Sequence, residues 1–288
     1  MKYKELYQTG KNLLMQAEIT EAELDARLLL ECICKTNRND LLVHADREVE
    51  EEQKEKYLCW IKQRAKHIPL QHITGVQEFM GLVFQVNEHV LIPRQDTEIL
   101  VEEILKDLHD GNRILDMCTG SGCILISLLN YSNDCEGIGV DISAAALKVA
   151  KKNAENLLSN KQDDTKFSFI ESDLFDKLCD ADGIKEKPFD IIVSNPPYIR
   201  SDVIPTLMEE VRLHEPIRAL DGTEDGLFFY RKITAQSKEY LQSGGKLFYE
   251  IGYDQGEAVK RIMETAGFLD VKVIKDYAGL DRVVYGRL

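Results

Sequence analysis

The residues best placed to do chemistry lie in the stretch Ser194-Asn195-Pro196-Pro197-Tyr198. Asn195 brings a short amide with one acceptor oxygen and two donor hydrogens. The imide nitrogens of Pro196 and Pro197 donate nothing, so the local backbone offers mainly carbonyl acceptors. Acceptors with no nearby donors suit an incoming NH₂ group, and Tyr198 offers a flat face to a planar ligand. The run before it, Phe189-Asp190-Ile191-Ile192-Val193, reads as a buried parallel strand. The prolines forbid that strand from continuing, and Asn195, standing before a proline, is held extended. A stiffly held amide at the carboxyl end of a strand sits where open α/β sheets bind ligands. Asn-Pro also starts ordinary surface turns, so the stretch gains its meaning from what lies upstream.

Upstream is a glycine loop. Arg113 to Met117 reads as a short buried strand, Cys118-Thr119-Gly120-Ser121-Gly122 as a tight turn, and Cys123 to Tyr131 as an apolar helix. Small residues let the backbone approach a ligand closely. A second strand, Gly137 to Val140, ends in Asp141, where a carboxylate suits a ribose diol that donates two hydrogen bonds. The dinucleotide fingerprint Gly-x-Gly-x-x-Gly is not met, because its third glycine is missing. Asp116, just before the loop, would repel a pyrophosphate. A neutral or cationic nucleoside such as S-adenosylmethionine fits better. After a third strand, Phe167 to Ile170, Asp173 stands where an adenine amino group is read and Leu174 where an apolar residue packs on the ring; the plain alternative for Asp173 is a helix cap.

The elements around these residues divide the chain. Residues 1 to about 70 read as helices only. Thr20-Glu21-Ala22-Glu23 has the form of a capping box with Thr20 as N-cap, and Leu24, Leu28 and Ile33 give the following helix an apolar face. A second helix spans about Glu50 to His67, with Tyr57, Leu58, Ile61 and Ala65 toward a core. No catalytic cluster stands in this half, and His44, His67 and His72 are scattered. Its expected task is binding or positioning a substrate. Phe79 to Val86 and Val90 to Ile92, around Asn87-Glu88-His89, read as a β-hairpin linker. Thr97 or Asp96 can cap a helix from Glu98 to about His109. Arg94 can contact a carboxylate or stand solvated in the linker. Beyond the Asn-Pro-Pro-Tyr strand, residues 200 to 222 form a long proline-interrupted connection of the kind that makes lids or substrate walls. A helix from Glu224 to Gln242, a strand from Gly245 to Ile251, a helix from Gln255 to Ala266 and strands at Leu269 to Lys275 and Arg282 to Gly286 complete the pattern.

Composition narrows the function classes. The 288 residues favour two domains, and 44% hydrophobic with 30% charged residues is ordinary for a globular protein. A formal net charge of -14 argues against broad nucleic-acid binding, which needs clustered Lys and Arg. It leaves room for a basic protein partner. No signal-peptide core opens the chain, and no apolar run approaches the about 18 residues of a membrane span. Seven cysteines, an odd number without paired metal-ligand spacing, read as reduced thiols in a cytoplasmic protein with no metal.

Together these segments resemble the release-factor glutamine methyltransferases (the HemK/PrmC type). The resemblance runs through Pro69 to Gly75, Phe79 to Phe84 with Gly81, Leu91-Ile92-Pro93-Arg94, Asp96-Thr97-Glu98, Asp116 to Gly122, Asn195 to Tyr198 and Glu250-Ile251-Gly252, and so covers essentially the whole chain. Asn-Pro-Pro-Tyr alone is shared with adenine amino-group methyltransferases, whereas the Ile-Pro-Arg segment and the helical amino-terminal part narrow the likeness. The chain departs from the family at Cys118, usually glycine, and at Gln95, often proline; neither position supplies an obligatory side chain.

The resemblance implies an α/β fold. A Rossmann-like seven-stranded methyltransferase domain with its last strand antiparallel is expected over 96–288. A small helical substrate-recognition domain over 1–75 and a β-hairpin linker over 76–95 precede it. It implies methyl transfer from S-adenosyl-L-methionine, giving S-adenosyl-L-homocysteine, to the glutamine amide of the Gly-Gly-Gln motif in peptide-chain release factors. The implied cofactor site is Cys118 to Gly122, Asp141, Asp173, Leu174 and Asn195. The implied substrate site is Asn195, Pro196, Pro197 and Tyr198, with Asn195, Pro196 and Tyr198 acting on the amide. Two other readings are a nucleic-acid adenine methyltransferase, which would want a basic groove, and a cofactor-binding scaffold without turnover, against which Asn195 and Asp141 both stand.

Overall fold

The computed structural model of the protein describes residues 1–161, 166–179 and 186–288. It divides into two compact units. The first holds Met1–Val76 together with Met208–His214, and the second holds Gln77–Leu207 and Glu215–Leu288.

The first unit is helical: α1 (Tyr3–Gln16), α2 (Ala22–Cys34), α3 (Arg38–Val43), α4 (Glu51–Arg64) and α5 (Leu70–Thr74). Leu6 and Leu14 of α1, Leu29 and Leu30 of α2, and Tyr57 and Ile61 of α4 meet in its core, where the Tyr57 hydroxyl donates to the Ala26 carbonyl at 3.1 Å. The expected Thr20 capping box does not form. Glu21 is the N-cap of α2 and makes no side-chain cap, while Thr20 and Glu23 lie exposed. Burial of Ala22 and Ala26 against α1 and α4 sets where this helix starts, overriding the local capping signal. The buried face is likewise shifted from the expected one: Leu24 is exposed, and Asp25, Ala26, Leu29, Leu30 and Ile33 are buried. Asp25 is buried because Arg64 of α4 donates to it at 2.6 Å; the same guanidinium reaches Glu210 at 2.7 Å and the Ile68 carbonyl at 3.2 Å.

The second unit begins with a hairpin, β1 (Val76–Phe79) and β2 (Leu82–Gln85). Its turn is Met80-Gly81, both with positive φ (50° and 68°), which matches the twist of a two-residue hairpin. The turn expected at Asn87 to His89 therefore lies outside the hairpin, and Val90 to Ile92 form no strand. The hairpin does not stand apart as a linker. Phe79 and Phe84 pack edge to face, 6.0 Å between centroids, in the core formed with α6 (Glu98–Leu105) and later elements.

From there the chain alternates: β3 (Arg113–Met117), α7 (Cys123–Asn130), β4 (Glu136–Asp141), α8 (Ala144–Leu157), β5 (Lys166–Glu171) and β6 (Phe189–Ser194). α9 (Glu209–His214) belongs to the helical unit, and α10 (Ile217–Leu220), α11 (Phe228–Ser237), β7 (Leu241–Glu250), α12 (Gly256–Thr265), β8 (Leu269–Lys275) and β9 (Asp281–Arg287) follow. Among the described residues the strands make one seven-stranded sheet in the order β5-β4-β3-β6-β7-β9-β8. All pairs are parallel except those of β9, the last strand, which runs antiparallel to β7 and β8. This is the α/β class expected. The central strands are mostly apolar because helices cover both faces, giving one core cluster on each side. α11 is shorter than the Glu224 to Gln242 span expected, because Leu241 is already paired with Phe189 in the sheet.

The Asp25–Arg64–Glu210 cluster sets a stability test. Arg64→Ala would leave Asp25 buried without its partner and should cost about 3–5 kcal/mol by chemical denaturation. Asp46→Ala, which removes the exposed pairs with Lys2 and Lys4, should leave the denaturation midpoint nearly unchanged, because solvent screens both pairs.

Candidate active site

β3 and β6 are neighbours at the centre of the sheet, and the chain winds from them in opposite directions, to β4 and β5 on one side and to β7, β9 and β8 on the other. A crevice opens at such a switch point beyond the carboxyl ends of the strands. Here it is a cavity of about 620 Å³. Cys118, Thr119, Gly120, Ser121, Asp141, Asp173, Leu174 and Asn195, all singled out in the sequence, line it.

The glycine loop is held by its own hydrogen bonds. The Thr119 N–H donates to the Val140 carbonyl at 2.9 Å, the Gly122 N–H to the Thr119 carbonyl at 2.8 Å, and the Ser194 hydroxyl to the Met117 carbonyl at 2.7 Å. Gly120 sits at φ +55°, and a Cβ built on it would meet nothing within 4 Å, so the loop presents bare backbone to open space. Cys118 adopts φ +64°, a left-handed conformation that favours glycine. Gly122 is the N-cap of α7 and does not line the cavity. Asn153 of α8, buried, ties loop to hairpin: its amide donates to the Ser121 and Gln85 carbonyls, both at 3.0 Å, and accepts from the Gln85 N–H at 2.8 Å.

Asp141 does not wait free for a ligand. One of its oxygens accepts from the Gly120 N–H and the other from the Ser143 N–H, each at 2.9 Å. Burial raises its pKa and these backbone donors lower it in part. Each carboxylate oxygen retains a second lone pair for a further donor. Below the loop, Asp116 is fully buried. The Thr119 hydroxyl donates to its Oδ2 at 2.6 Å, Oδ1 has no partner among the described residues, and burial pushes the carboxyl up to about 7. Burial also raises the thiol of Cys118 and takes that of Cys123 up to about 12, so both keep their protons and neither is a nucleophile. All seven cysteines are free.

The Asn-Pro-Pro-Tyr stretch is arranged differently from expectation. Asn195 lines the cavity, with its NH₂ group 3.5 Å from the Thr97 hydroxyl. That turns the donor half of the amide to the protein and leaves Oδ1 without a protein partner among the described residues. Pro196 and Pro197 are buried and do not line the cavity, although the Pro196 carbonyl accepts no hydrogen bond among the described residues. Tyr198 is the larger correction. It does not face the cavity; its ring packs into the core beside β7 and its hydroxyl lies 3.4 Å from Glu250 Oε1. The cause is the next residue: Ile199 bridges to Asp221 in parallel, donating to the Leu220 carbonyl at 2.9 Å and accepting from the Gly222 N–H at 2.8 Å, which turns Tyr198 inward.

Asp173 caps no helix, since a turn follows it, and Leu174 is buried at φ +50°. Thr97 and Asp96 do not cap α6 with their side chains; a 3₁₀ turn over Gln95–Thr97 runs straight into it, and Asp96 pairs with Arg282 at 3.1 Å. Arg94 lines the cavity and forms an ion pair with buried Glu215, at the point where the chain returns to this unit. The connection after β6 does supply a wall, through Pro216 to Ala219 of α10 and its N-cap. Thr97, Phe228 and Phe229 also line the cavity, as do Asp221 and Lys232. Thr97 carried a signal in the sequence only as a helix cap, and Phe228 and Phe229 were read only as part of the helix from Glu224.

Two outcomes follow from this geometry. Cys118→Val, a β-branched residue at positive φ, should be less stable than Cys118→Gly by about 2 kcal/mol in equilibrium denaturation. The Asp116 carboxyl keeps its proton up to about pH 7 in the fold but loses it near the ordinary value of 3.8 when unfolded. The folded state binds the extra proton between those values, so stability falls as pH rises through that window. Asp116→Asn should flatten that fall in a pH series of denaturation midpoints.

Known proteins resemble the chain along nearly its whole length. Residues 5–75 match the PrmC N-terminal domain, and residues 94–215 match the methyltransferase small domain. The chain is 45% identical over 287 residues to the release factor glutamine methyltransferase of Clostridium botulinum, covering 99% of this chain and 98% of that one. It is 39% identical over 279 residues to the protein of the same name from Caulobacter vibrioides, covering 96% and 93%. A methyltransferase structure from Pyrococcus furiosus overlays with a TM-score of 0.50 at 16% identity, over 83% of this chain and 98% of that one, a likeness of fold alone. With this identity along nearly its whole length, the chain belongs to the family of release factor glutamine methyltransferases.

Proposed function

We propose that the protein transfers a methyl group from S-adenosyl-L-methionine to the side-chain amide nitrogen of the glutamine in the Gly-Gly-Gln motif of peptide-chain release factors, with Asn195 holding that amide. The observation that carries the proposal is the Asn195 amide: its NH₂ is engaged by Thr97 and its oxygen, on the cavity wall, has no protein partner among the described residues.

The cavity fits the cofactor. It is of the size that ligand pockets have, and bare backbone at Gly120 admits a close approach. Asp141, already fixed by two N–H donors, would accept from ribose hydroxyls. Asp173 would accept from the adenine amino group, Leu174 would pack on the ring, and Cys118 to Gly122 would hold the amino-acid part. When bound, S-adenosylmethionine supplies an electrophilic methyl group on a sulfonium and leaves as S-adenosylhomocysteine.

An amide nitrogen is a poor nucleophile because its lone pair is delocalised into the carbonyl. Asn195 Oδ1 and the Pro196 carbonyl would each accept one amide hydrogen. Two acceptors favour the positive charge that develops on nitrogen, and they fix the direction of its lone pair. The nitrogen forms one bond to carbon and loses one proton to solvent. Tyr198 does not stack on the substrate; its role is to support the stretch from below, through Glu250.

Asn195→Ala should lower kcat by about two to three orders of magnitude, the scale for one preorganised polar group, with cofactor affinity nearly unchanged. Calorimetry and steady-state kinetics on the same preparation check this, and equal small losses in both would remove Asn195 from the chemistry. Asp141→Ala should weaken cofactor binding by about 2–3 kcal/mol, at about 1–1.5 for each hydrogen bond to the ribose.

The helical unit is proposed to recognise the protein substrate. An open groove of about 1060 Å³ runs over it, and Met15, Leu24 and Leu42 line it while 56%, 38% and 69% exposed. The charge of -14 favours a basic partner. Leu42→Asp should raise KM for intact release factor at least about tenfold while leaving KM for a short Gly-Gly-Gln peptide unchanged, the size expected for one central apolar contact.

A further inference from the structure

Thr97 and Glu250 touch neither substrate nor cofactor in the reaction above, yet each meets a residue of the Asn-Pro-Pro-Tyr stretch. Thr97 is buried at the start of α6, and its hydroxyl receives the Asn195 NH₂ at 3.5 Å. The same hydroxyl lies beside the carboxyl of Glu250, where it lowers that group's proton affinity. Glu250, buried, is the last residue of β7, next to β6 in the sheet. Its Oε1 lies 3.4 Å from the Tyr198 hydroxyl, and its Oε2 is buried without a hydrogen-bond partner among the described residues. Its backbone carbonyl accepts from the Tyr230 hydroxyl at 2.9 Å, and that hydroxyl also lies 3.4 Å from Gln255.

We propose that Thr97 and Glu250 are a pair of positioning residues that orient the Asn195 amide and brace the Tyr198 ring. A threonine hydroxyl has one hydrogen to give and two lone pairs. Given to the Glu250 carboxylate, that hydrogen points away from Asn195, and a lone pair is left facing the Asn195 NH₂. This fixes which half of the Asn195 amide is turned to the protein and which to the substrate. Tyr198, two residues past the first proline, gives its own hydroxyl hydrogen to the same carboxylate. One acidic group on β7 thus sets both ends of the Asn-Pro-Pro-Tyr stretch. The inference rests on the reading that Asn195 Oδ1 receives the substrate amide.

The arrangement needs Glu250 ionised, since a protonated carboxyl would offer its own hydrogen to Thr97 or Tyr198. Burial pushes Glu250 up to about 7, with Thr97, Arg282 and Tyr198 acting against burial and Asp96 with it. Arg282 is held in turn by Asp276 at 3.0 Å and Asp96 at 3.1 Å, and Arg94 acts on Tyr198 from the cavity side. Turnover should therefore rise as pH passes upward through about 7.

The test uses the full-length protein. Thr97→Val should lower kcat about ten- to a hundredfold, with KM for release factor and cofactor affinity changed less than about twofold, and Thr97→Ser should restore most of the loss. Glu250→Gln should lose the rise in kcat between about pH 6 and pH 8. The Asn195 side-chain amide signals in a nitrogen–proton NMR spectrum, assigned by their absence in Asn195→Ala, give a readout independent of turnover. In the wild type they should titrate near pH 7 and be slow to exchange; in Thr97→Val they should exchange faster, and in Glu250→Gln they should not titrate. Amide signals unchanged in both variants, or a kcat for Thr97→Val within about twofold of wild type, would overturn the pair. Failure of the wild-type enzyme to methylate release factor would instead overturn the glutamine reading, and the NMR comparison would still decide on the pair.

Discussion

Strand β6 ends at Ser194 because Pro196 and Pro197 have no hydrogen to give to the ladder, and the site is placed from that end. The strand is buried on both faces and paired in parallel with β3 and β7, so its last residues cannot slide. Ser194 is tied to Met117, which fixes the stretch against the glycine loop that follows β3. Asn195 is thus delivered to the wall of the cavity by the two central strands of the sheet. The remainder of the unit holds this junction still: Asn153 clasps hairpin and loop, and the connection over α10 closes a wall.

Charge around the site follows from burial. Asp116 and Glu250 sit at the carboxyl ends of β3 and β7, both buried and both pushed up to about 7. Asp141, at the end of β4, is raised by burial, lowered in part by its backbone N–H donors, and lines the cavity where a ligand meets it. The cavity wall carries Asp141, Asp173 and Asp221 against Arg94, Arg218 and Lys232, and it is Asp141, bound to the Gly120 N–H, that works against a pyrophosphate at the glycine loop. The raised thiols of Cys118 and Cys123 leave no competing nucleophile in the loop.

The sheet was readable from the sequence because each central strand is an apolar run bounded by turn residues, and the cavity residues stand at the ends of those runs. Asn195, Asp141 and the glycine loop could be found because strand ends are where such sheets bind. Tyr198 was misplaced because its direction is set by a bridge from Ile199 to Asp221, a contact over 22 residues that no local pattern encodes. Thr97 read as a helix cap because the local signal for a cap is strong; its real partners, Asn195 and Glu250, are about 100 and 150 residues away. The Thr20 capping box failed for the same reason, since packing of Ala22 and Ala26 decided where α2 begins. The hairpin turn was missed because Met80 carries no sign of a positive φ, whereas Asn87 does. The passage of α9 into the helical unit rests on the ion pair of Glu210 with Arg64, again a distant contact.

Incubation of the purified protein with release factor and methyl-labelled S-adenosylmethionine, followed by fragmentation of the labelled peptide, tests the central claim most directly. The expected result is a single added methyl group on the side-chain nitrogen of the Gly-Gly-Gln glutamine, formed about a hundred- to a thousandfold more slowly when Asn195 is alanine. Label on another residue, or on the adenine of a nucleic acid offered in the same mixture with the release factor unmodified, would contradict it.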